Sequence, residues 1–294
     1  MKFAWVLNLD AELELARPGF EYVPRVKLLR QLELYGQGSR ALLGPEDVLV
    51  APGVALAEGF VGRGFVGRAW CPTPHAVERL TAAGIEPEPH PAPSVLRRVN
   101  HRAFAHEAGG GLPEQRYFTE RAPVEALLRR AERPWLLKRP MAFAGRGQMR
   151  FYGPISDKQW SWLDVSLKDD GVIVEPLVRP TLELSLHGFV WPAGSSELGR
   201  VCVQEVTDRG VFRAVRGALP GEVHESERAA LYEQGERVSG LLHEAGYFGP
   251  FGIDAYRYEW QEKRGFCALS EINARYTMSF VTGFPRHPSE LSLG

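Results

Sequence analysis

The sequence predicts an α/β protein in which a small parallel-sheet domain precedes a larger α+β region. Strands and helices alternate over the first hundred residues, a pattern typical of a parallel sheet covered by helices. Four prolines (Pro87, Pro89, Pro91 and Pro93) then interrupt the pattern, because proline can extend neither a helix nor a central strand. The 294 residues are about twice the length of a typical domain, which agrees with more than one folding unit.

The first 93 residues form the predicted amino-terminal domain. Residues 3–9 alternate loosely in hydrophobicity and predict a strand, and Asp47–Val50 predicts a short buried strand. Between them, apolar residues at helical spacing predict a helix over Val26–Leu34. A second helix is expected over Pro74–Ala83, with proline at its start and Gly84 after its end.

The rest of the chain predicts helices interleaved with strands. Ser94 is expected to cap a helix that runs to Ala108, and Ser156 with Gln159 predicts a capping box at the start of another helix. Further helices are predicted at Pro123–Ala131, 157–168 and Ser226–Ala245, and strands at Trp135–Lys138, up to Tyr152, Val172–Leu177, Leu182–Val190, Val201–Val206, Val211–Val215, Gly252–Tyr258 and Phe266–Asn273.

Composition excludes several classes of protein. The chain has 35 basic and 36 acidic residues, so no positive charge draws it to nucleic acid. No window approaches ~20 consecutive apolar residues, so we expect no membrane span. The three cysteines have neither disulfide-framework nor zinc-site spacing, and the first residues are typical of a strand rather than a signal peptide. We therefore expect a cytoplasmic protein.

One glycine motif suggests dinucleotide binding but lacks the required context. Gly62 to Gly67 matches G-x-G-x-x-G, which binds a dinucleotide only when a helix opens from its last glycine. Pro72 and Pro74 follow closely and prevent such a helix. We therefore predict no nicotinamide or flavin cofactor at this segment.

A predicted strand that ends at Lys138 leads into a loop containing Gly145 and Gly147. Backbone N–H groups of such a loop can approach phosphate oxygens, while the lysine supplies a point charge. A surface lysine beside an ordinary hairpin turn is the alternative. Only six of the 35 basic residues are lysine, which makes this one more informative.

The last two predicted strands each contain an acidic residue, and the two residues are expected to lie opposite each other. The midpoint between Asp254 and Glu271 falls at residues 262–263, inside the polar turn Gln261–Arg264, so a simple hairpin places the two carboxylates opposite each other. Asn273 lies two residues beyond Glu271 and shares its face. Facing carboxylates repel unless a cation compensates them, and carboxylate and amide oxygens are the ligands that Mg²⁺ prefers.

These segments resemble the ATP-grasp superfamily of carboxylate–amine ligases over about residues 98–280. The resemblance rests on Lys138 before its glycine-bearing loop, Val174–Val178, Glu183–Leu186, Gly252–Asp254 with its preceding residues, and Glu271–Arg275. It implies an ATP-grasp fold of two α+β subdomains clasping ATP, at residues 94–180 and 181–294, after a Rossmann-like domain at 1–93.

The resemblance also implies a role for each matching residue. Lys138 and Arg102, which stands where the family commonly has lysine, would hold the phosphates of ATP together with the loop residues Gly145, Arg146 and Gly147. Backbone groups of Glu175, Pro176 and Leu177 would read adenine, and Glu183 would bind the ribose. Asp254, Glu271 and Asn273 would hold Mg²⁺, with two ions expected, and Arg275 would stabilise the transferring phosphoryl group.

The implied activity is an ADP-forming ligase that activates a small-molecule or peptide carboxylate as an acyl phosphate and joins it to an amine. Two alternatives stay open: an ATP-grasp kinase acting on a small molecule, and a non-catalytic ATP-binding protein. Arg213 and Arg216 are candidates to hold an acidic substrate, although both can equally be surface residues. A homodimer is the candidate assembly.

Overall fold

The computed structural model describes residues 1–17, 39–50, 64–130, 133–142, 147–206 and 212–293. The predicted helix Val26–Leu34, Gly62 of the glycine motif and the loop residues Gly145 and Arg146 lie outside the described residues. Described helices are α1 (Ala11–Leu15), α2 (Pro74–Ala82), α3 (Pro93–Asn100), α4 (Arg102–Glu107), α5 (Arg121–Arg129), α6 (Asp157–Asp169), α7 (Glu225–Glu244) and α8 (Phe280–Gly283), with 3-10 turns at Arg40–Leu42 and Pro288–Glu290.

Described strands form three sheets. The strands are β1 (Lys2–Val6), β2 (Val48–Leu49), β3 (Phe65–Ala69), β4 (Arg116–Phe118), β5 (Trp135–Lys138), β6 (Gln148–Phe151), β7 (Val172–Pro176), β8 (Arg179–Val190), β9 (Ser196–Leu198), β10 (Cys202–Val206), β11 (Phe212–Gly217), β12 (Gly249–Trp260) and β13 (Lys263–Asn273).

The amino-terminal sheet is parallel, as predicted, with strand order β2-β1-β3. Gly67 of the glycine motif lies within β3 rather than at the start of a helix. A Cβ atom at Gly67 would lie 3.0 Å from a Leu80 methyl group and 3.1 Å from the Pro87 Cα. This glycine therefore serves close packing of the strand against α2 and the proline-rich segment.

The second sheet has four antiparallel strands in the order β4-β7-β5-β6. Helices α5 and α6 cover it through a separate apolar cluster that includes Val124, Leu137, Leu163 and Val174. The capping box predicted at Ser156 and Gln159 is present at the start of α6.

The third sheet is antiparallel, with order β11-β10-β8-β12-β13 and β9 paired to β8. Helix α7 packs against β8 and β13, and the largest apolar cluster of the described residues extends from this contact to β1, α1 and α3. The predicted terminal hairpin is confirmed, and its register pairs Asp254 with Glu271. The opposite face of this sheet is therefore left for polar side chains.

Two local predictions were wrong. The helix expected from Ser94 to Ala108 is two helices, α3 and α4, because His101 has an extended backbone (φ −78°, ψ 129°) and its ring Nδ1 accepts the Ala103 N–H. Ser94 is not the cap of α3: Ala92 is, and Pro93 takes the first helical position. Helix α1 and strands β4 and β9 were not predicted, since each is five residues or shorter.

Candidate active site

A polar face of the six-stranded sheet forms the centre of the candidate site. Residues that lie directly opposite each other in an antiparallel pair project to the same face. The register pairs Asp254 with both Glu271 and Ser185, and pairs Glu183 with both Tyr256 and Gln204. Polar side chains from four strands, β13, β12, β8 and β10, therefore share one face.

Asp254 is held by two amide groups. Gln204 Nε2 donates to its Oδ1 at 2.7 Å, and Asn273 Nδ2 donates to its Oδ2 at 3.0 Å. Burial and the nearby Glu271 charge nevertheless raise the pKa of Asp254 from 3.8 to about 7, because the amide hydrogen bonds offset only part of both effects. An ionised Asp254 is therefore short of positive charge in this structure.

Glu271 is compensated by Arg102. Arg102 Nη2 lies 2.9 Å from Glu271 Oε1, and its Nη1 donates to the Arg139 carbonyl at 2.7 Å. The break at His101 sets the direction of α4, on whose first position Arg102 lies. Of the two facing carboxylates, Glu271 therefore has a cationic partner, and no described side chain forms an ion pair with Asp254.

Arg275 lies at the junction with the amino-terminal domain. Its Nε donates to Glu12 Oε1 at 2.6 Å, and its Nη2 donates to Asn273 Oδ1 at 2.9 Å. Its guanidinium also faces the ring of Trp70, with 5.5 Å between the guanidinium carbon and the ring centroid. Burial lowers the pKa of Arg275, but the Glu12 carboxylate more than offsets this and the net shift is upward.

Lys138 and the two predicted nucleotide-binding glutamates meet where the four-stranded sheet faces the six-stranded one. Lys138 Nζ lies 2.6 Å from Glu175 Oε1, and both side chains are largely buried. Burial raises the pKa of Glu183, and the nearby Lys138 charge opposes that rise. One lysine thus lies between a glutamate of β7 and a glutamate of β8.

The segment Glu175–Leu177, which is expected to bind adenine, offers few free backbone N–H groups. Pro176 has no N–H group, and the Leu177 N–H already donates to the Pro134 carbonyl at 3.0 Å. At these two positions only the carbonyl groups remain for a base edge.

The glycine-bearing loop is described only at its end. Gly147 has a φ of +69°, which favours glycine, and its carbonyl accepts the Arg139 N–H at 2.8 Å. A Cβ atom there would lie 2.9 Å from the Ala142 Cβ, so the loop closes tightly after Lys138.

The two arginines considered for an acidic substrate differ in their surroundings. Arg216 binds Glu222 through two nitrogens, at 2.8 and 2.6 Å, and this hydrogen bonding lowers the pKa of Glu222 to about 2. Arg216 is therefore committed to a structural pair, which does not favour the substrate assignment. Arg213 is exposed on the same strand, β11.

The carboxylate and amide oxygens on the polar face are of the type that binds magnesium ions. Asp254 and Glu271 are paired across the ladder, and Asn273 contacts Asp254. Burial and the Glu271 charge raise the pKa of Asp254, and a cation bound between the two carboxylates would oppose both effects. Within the described ranges, no group of three or more His, Cys, Asp or Glu side chains could hold a metal ion, so an amide must complete this set.

Sequence reasoning missed several side chains on or beside this face. Ser185 and His187 belong to β8, where every second residue from Arg179 to His187 is polar, and that alternation could have identified them; Gln204 of β10 has no such signal, because the polar Glu205 follows it. His187 is buried, with Ser185 Oγ 3.2 Å from its Nε2, and burial lowers its pKa to about 4. Glu12 gave no signal, because its role depends on a contact with Arg275, 263 residues away.

Comparisons by sequence and by structure differ in outcome. No family model matches the chain, and no curated protein sequence matches it. Among solved structures, N5-carboxyaminoimidazole ribonucleotide synthetase from Thermus thermophilus is 19% identical and matches 99% of this chain and 79% of that one, with a TM-score of 0.55.

Two further structures contain nucleotides. Carboxyaminoimidazole ribonucleotide synthase from Aspergillus clavatus, complexed with ATP, is 18% identical with a TM-score of 0.51 over 78% of this chain and 61% of that one. The biotin carboxylase domain of a Hydrogenobacter thermophilus 2-oxoglutarate carboxylase, with MgADP and bicarbonate, is 14% identical with a TM-score of 0.51 over 70% of this chain. The chain spans 46% of that domain structure, so it covers less than two thirds of the latter two proteins.

No helix in the described part of the chain is long and apolar enough to cross a membrane. All three cysteines are buried and free. The sheet topology and the structural neighbours agree with the resemblance carried by the sequence motifs. The chain therefore has the ATP-grasp fold.

Proposed function

We propose that this protein is an ATP-dependent, ADP-forming ligase that activates a carboxylate and joins it to an amine. The observation that carries the proposal is Asp254 opposite Glu271 on the polar sheet face, with the pKa of Asp254 raised to about 7. A pair of facing, partly buried carboxylates with one uncompensated member favours a bound cation, and Mg·ATP supplies one. The neighbours in the structural comparison, which are ATP-grasp ligases, support the same reaction class.

Nucleotide binding is assigned to the cluster around Lys138. Its ammonium group contacts Glu175 and lies near Glu183. In the proposed complex Lys138 turns from Glu175 toward a phosphate, while Glu183 accepts hydrogen bonds from the ribose hydroxyl groups. The loop at Gly145–Gly147 covers the phosphates, and carbonyl groups of Pro176 and Leu177 accept hydrogen bonds from the adenine amino group.

The metal end is assigned to Asp254, Glu271 and Asn273. When bound there, Mg²⁺ would neutralise charge on the phosphate oxygens. Arg102 now contacts Glu271, and Arg275 contacts Asn273, so two guanidinium groups lie next to the carboxylate and amide ligands. Both can exchange these contacts for phosphate oxygens, and Arg275 is assigned to the transferring phosphoryl group.

The reaction needs no nucleophilic side chain. A carboxylate oxygen of the substrate attacks the γ-phosphorus, the bond between that phosphorus and the β–γ bridging oxygen breaks, and ADP leaves. The amine lone pair then attacks the acyl carbon, the carbon–oxygen bond to phosphate breaks, and inorganic phosphate and one proton are released. Positioning and positive charge are the main requirements, and the clustered lysine and arginines supply them.

The proposal is tested by incubating the protein with Mg·ATP and pools of carboxylates, with hydroxylamine as a general nucleophile. A ligase releases ADP only with an active carboxylate and forms the corresponding hydroxamate, which mass spectrometry identifies. The active carboxylate is then paired with amines, and the mass of the product names the natural nucleophile. Asp254→Asn is expected to reduce ADP release to background, whereas Asp169→Asn, at an exposed helix end, is expected to retain it.

Each alternative has its own outcome. ADP release with a stable phosphorylated product and no need for a nucleophile would identify a kinase. ATP binding without ADP release in any pool would favour a non-catalytic binding protein. The cytoplasmic location, the second metal ion and the homodimer stay predictions, and the last is checked by sedimentation.

A further inference from the structure

The carboxyl ends of the amino-terminal parallel strands form an edge that faces Arg275. The strand order is β2-β1-β3, so β1 is the central strand. Strand β2, which follows β1 in the sequence, lies on one side of it, and β3 lies on the other side. The switch point therefore lies between the carboxyl ends of β1 and β3, where open parallel sheets commonly bind ligands. Glu12, in α1, follows β1, and Trp70 directly follows β3.

Two buried polar atoms at this edge are unsatisfied. Glu12 Oε2 and Trp70 Nε1 have no hydrogen-bond partner among the described residues, although Glu12 is 6% and Trp70 5% exposed. The other oxygen of Glu12 accepts from Arg275, and the Trp70 ring faces the same guanidinium. An acceptor and a donor thus lie beside one cation, and leaving a buried donor or acceptor unpaired is unfavourable.

Neighbouring polar side chains at the same edge are satisfied. Asn8 bonds Cys71 and Thr73, and both oxygens of Glu14 accept hydrogen bonds, from Thr73 and from the His75 N–H. The local backbone therefore can satisfy buried polar groups here. The unpaired state of Glu12 Oε2 and Trp70 Nε1 distinguishes these two atoms from their surroundings.

We propose that Glu12, Trp70 and Arg275 form the subsite for the nucleophile, a primary amine that carries a hydrogen-bond-accepting oxygen next to its amino group. Glu12 Oε2 accepts an N–H of the amine, and Trp70 Nε1 donates to the neighbouring oxygen. The inference rests on the proposed function, in which Arg275 lies at the phosphoryl group being transferred. An amine held by Glu12 is then beside the acyl phosphate that it attacks.

The charge of the cluster agrees with a small amino-acid-like ligand. Glu12 and Arg275 neutralise each other, so a ligand with both an ammonium and a carboxylate group adds no net charge to the buried cluster. Trp70 and Arg275 also line a narrow cleft of about 30 Å³ beside Tyr276 and the proline-rich segment. Glycine is the smallest amino acid with the required donor and acceptor.

The test uses the full chain labelled with ¹⁵N and follows tryptophan indole signals by NMR, with no nucleotide present. Trp70→Phe identifies the Trp70 signal by its loss. We expect glycine to shift that signal saturably. Betaine, which has the same carboxylate and net charge but no N–H group, is expected to leave it in place. Glu12→Gln should weaken glycine binding at least tenfold, and Glu14→Gln, whose oxygens are already bonded, should not.

The comparison of glycine with betaine on the unsubstituted chain keeps the test valid even if Glu12→Gln folds poorly. No shift with glycine, or equal shifts with both molecules, would overturn the subsite and leave a structural water as the partner of the two atoms. Unchanged glycine affinity in folded Glu12→Gln would also overturn it. ADP release is measured in a separate assay. If the protein releases ADP but glycine does not shift the Trp70 signal, only the proposed subsite is refuted. If glycine shifts the signal but no ADP is released, only the proposed ligase activity is refuted.

Discussion

Replacing Asp254 by asparagine is expected to stabilise the metal-free protein above neutral pH while abolishing ADP formation. Burial and the Glu271 charge raise the pKa of Asp254 from 3.8 to about 7, so the folded protein holds this proton more tightly than the unfolded chain does. At ~1.4 kcal/mol per pKa unit, ionising Asp254 destabilises the fold by about 4 kcal/mol.

The pH range follows from the direction of the shift. Below pH 3.8 the Asp254 carboxyl is protonated in both the folded and the unfolded protein, so it does not reduce the stability of the wild type. Between pH 3.8 and about 7 the unfolded chain ionises first, so wild-type stability falls as pH rises, and above about 7 the full loss is present. Asparagine does not ionise, so its advantage grows over the same range.

The hydrogen bonds of Asp254 reduce the expected gain. Gln204 and Asn273 both donate to the carboxylate, and an asparagine amide can accept from only one of them unless Gln204 rotates. The resulting mismatch costs about 1–3 kcal/mol. We therefore expect a net gain of about 1–3 kcal/mol at pH 8, or about 2–10 °C in Tm.

The assay is thermal unfolding of wild type and Asp254→Asn at pH 5 and pH 8, with chelator and with Mg·ATP. The exposed Asp169→Asn is the control, with an expected change within about 0.5 kcal/mol at either pH. Mg·ATP should stabilise the wild type and not Asp254→Asn. If Asp254→Asn loses stability at pH 8, or gains equally at both pH values, the account of this carboxylate is refuted.

The remaining predictions concern nucleotide binding and the packing of the fold. Lys138→Ala should weaken ATP binding at least tenfold in equilibrium titration, because Lys138 is the cation beside Glu175 and Glu183. Exposed Lys158→Ala should leave it unchanged, and equal losses in both would contradict the assignment. Arg68→Met should lower the free energy of unfolding in urea by about 3–5 kcal/mol, since it leaves Glu88 and two carbonyl groups near the carboxyl terminus without their buried donor. A loss below about 1 kcal/mol would show that this cluster is not needed. Ser156→Ala should cost about 1 kcal/mol by removing the cap of α6, and no change in urea midpoint would refute the cap.

Local sequence patterns were sufficient to predict several of the helices and strands of this protein. Alternation and turn chemistry predicted the terminal hairpin. The predicted pairing of Asp254 with Glu271 is present, but it depends on a register shift between Asp254 and Tyr256, because the turn pairs Trp260 with Lys263 and without the shift would place Asp254 opposite Leu269. Proline and glycine positions predicted α2 and excluded a helix after Gly67. In each case the interactions that select the structure lie within about 20 residues.

Only the tertiary structure decided which charged groups meet. Arg102 with Glu271 and Arg275 with Glu12 join elements far apart in the sequence, and Lys138 with Glu175 joins two neighbouring strands of one sheet. An arginine or lysine side chain can form an ion pair with any carboxylate within reach, and the packing of the sheets decides which carboxylate that is. The break at His101 has the same origin: its sequence permits a continuous helix, but Asn100 bonds Ala274 of the distant loop after β13, and the chain turns there. Local propensity therefore determined the elements, and long-range packing determined the charges that the candidate site contains.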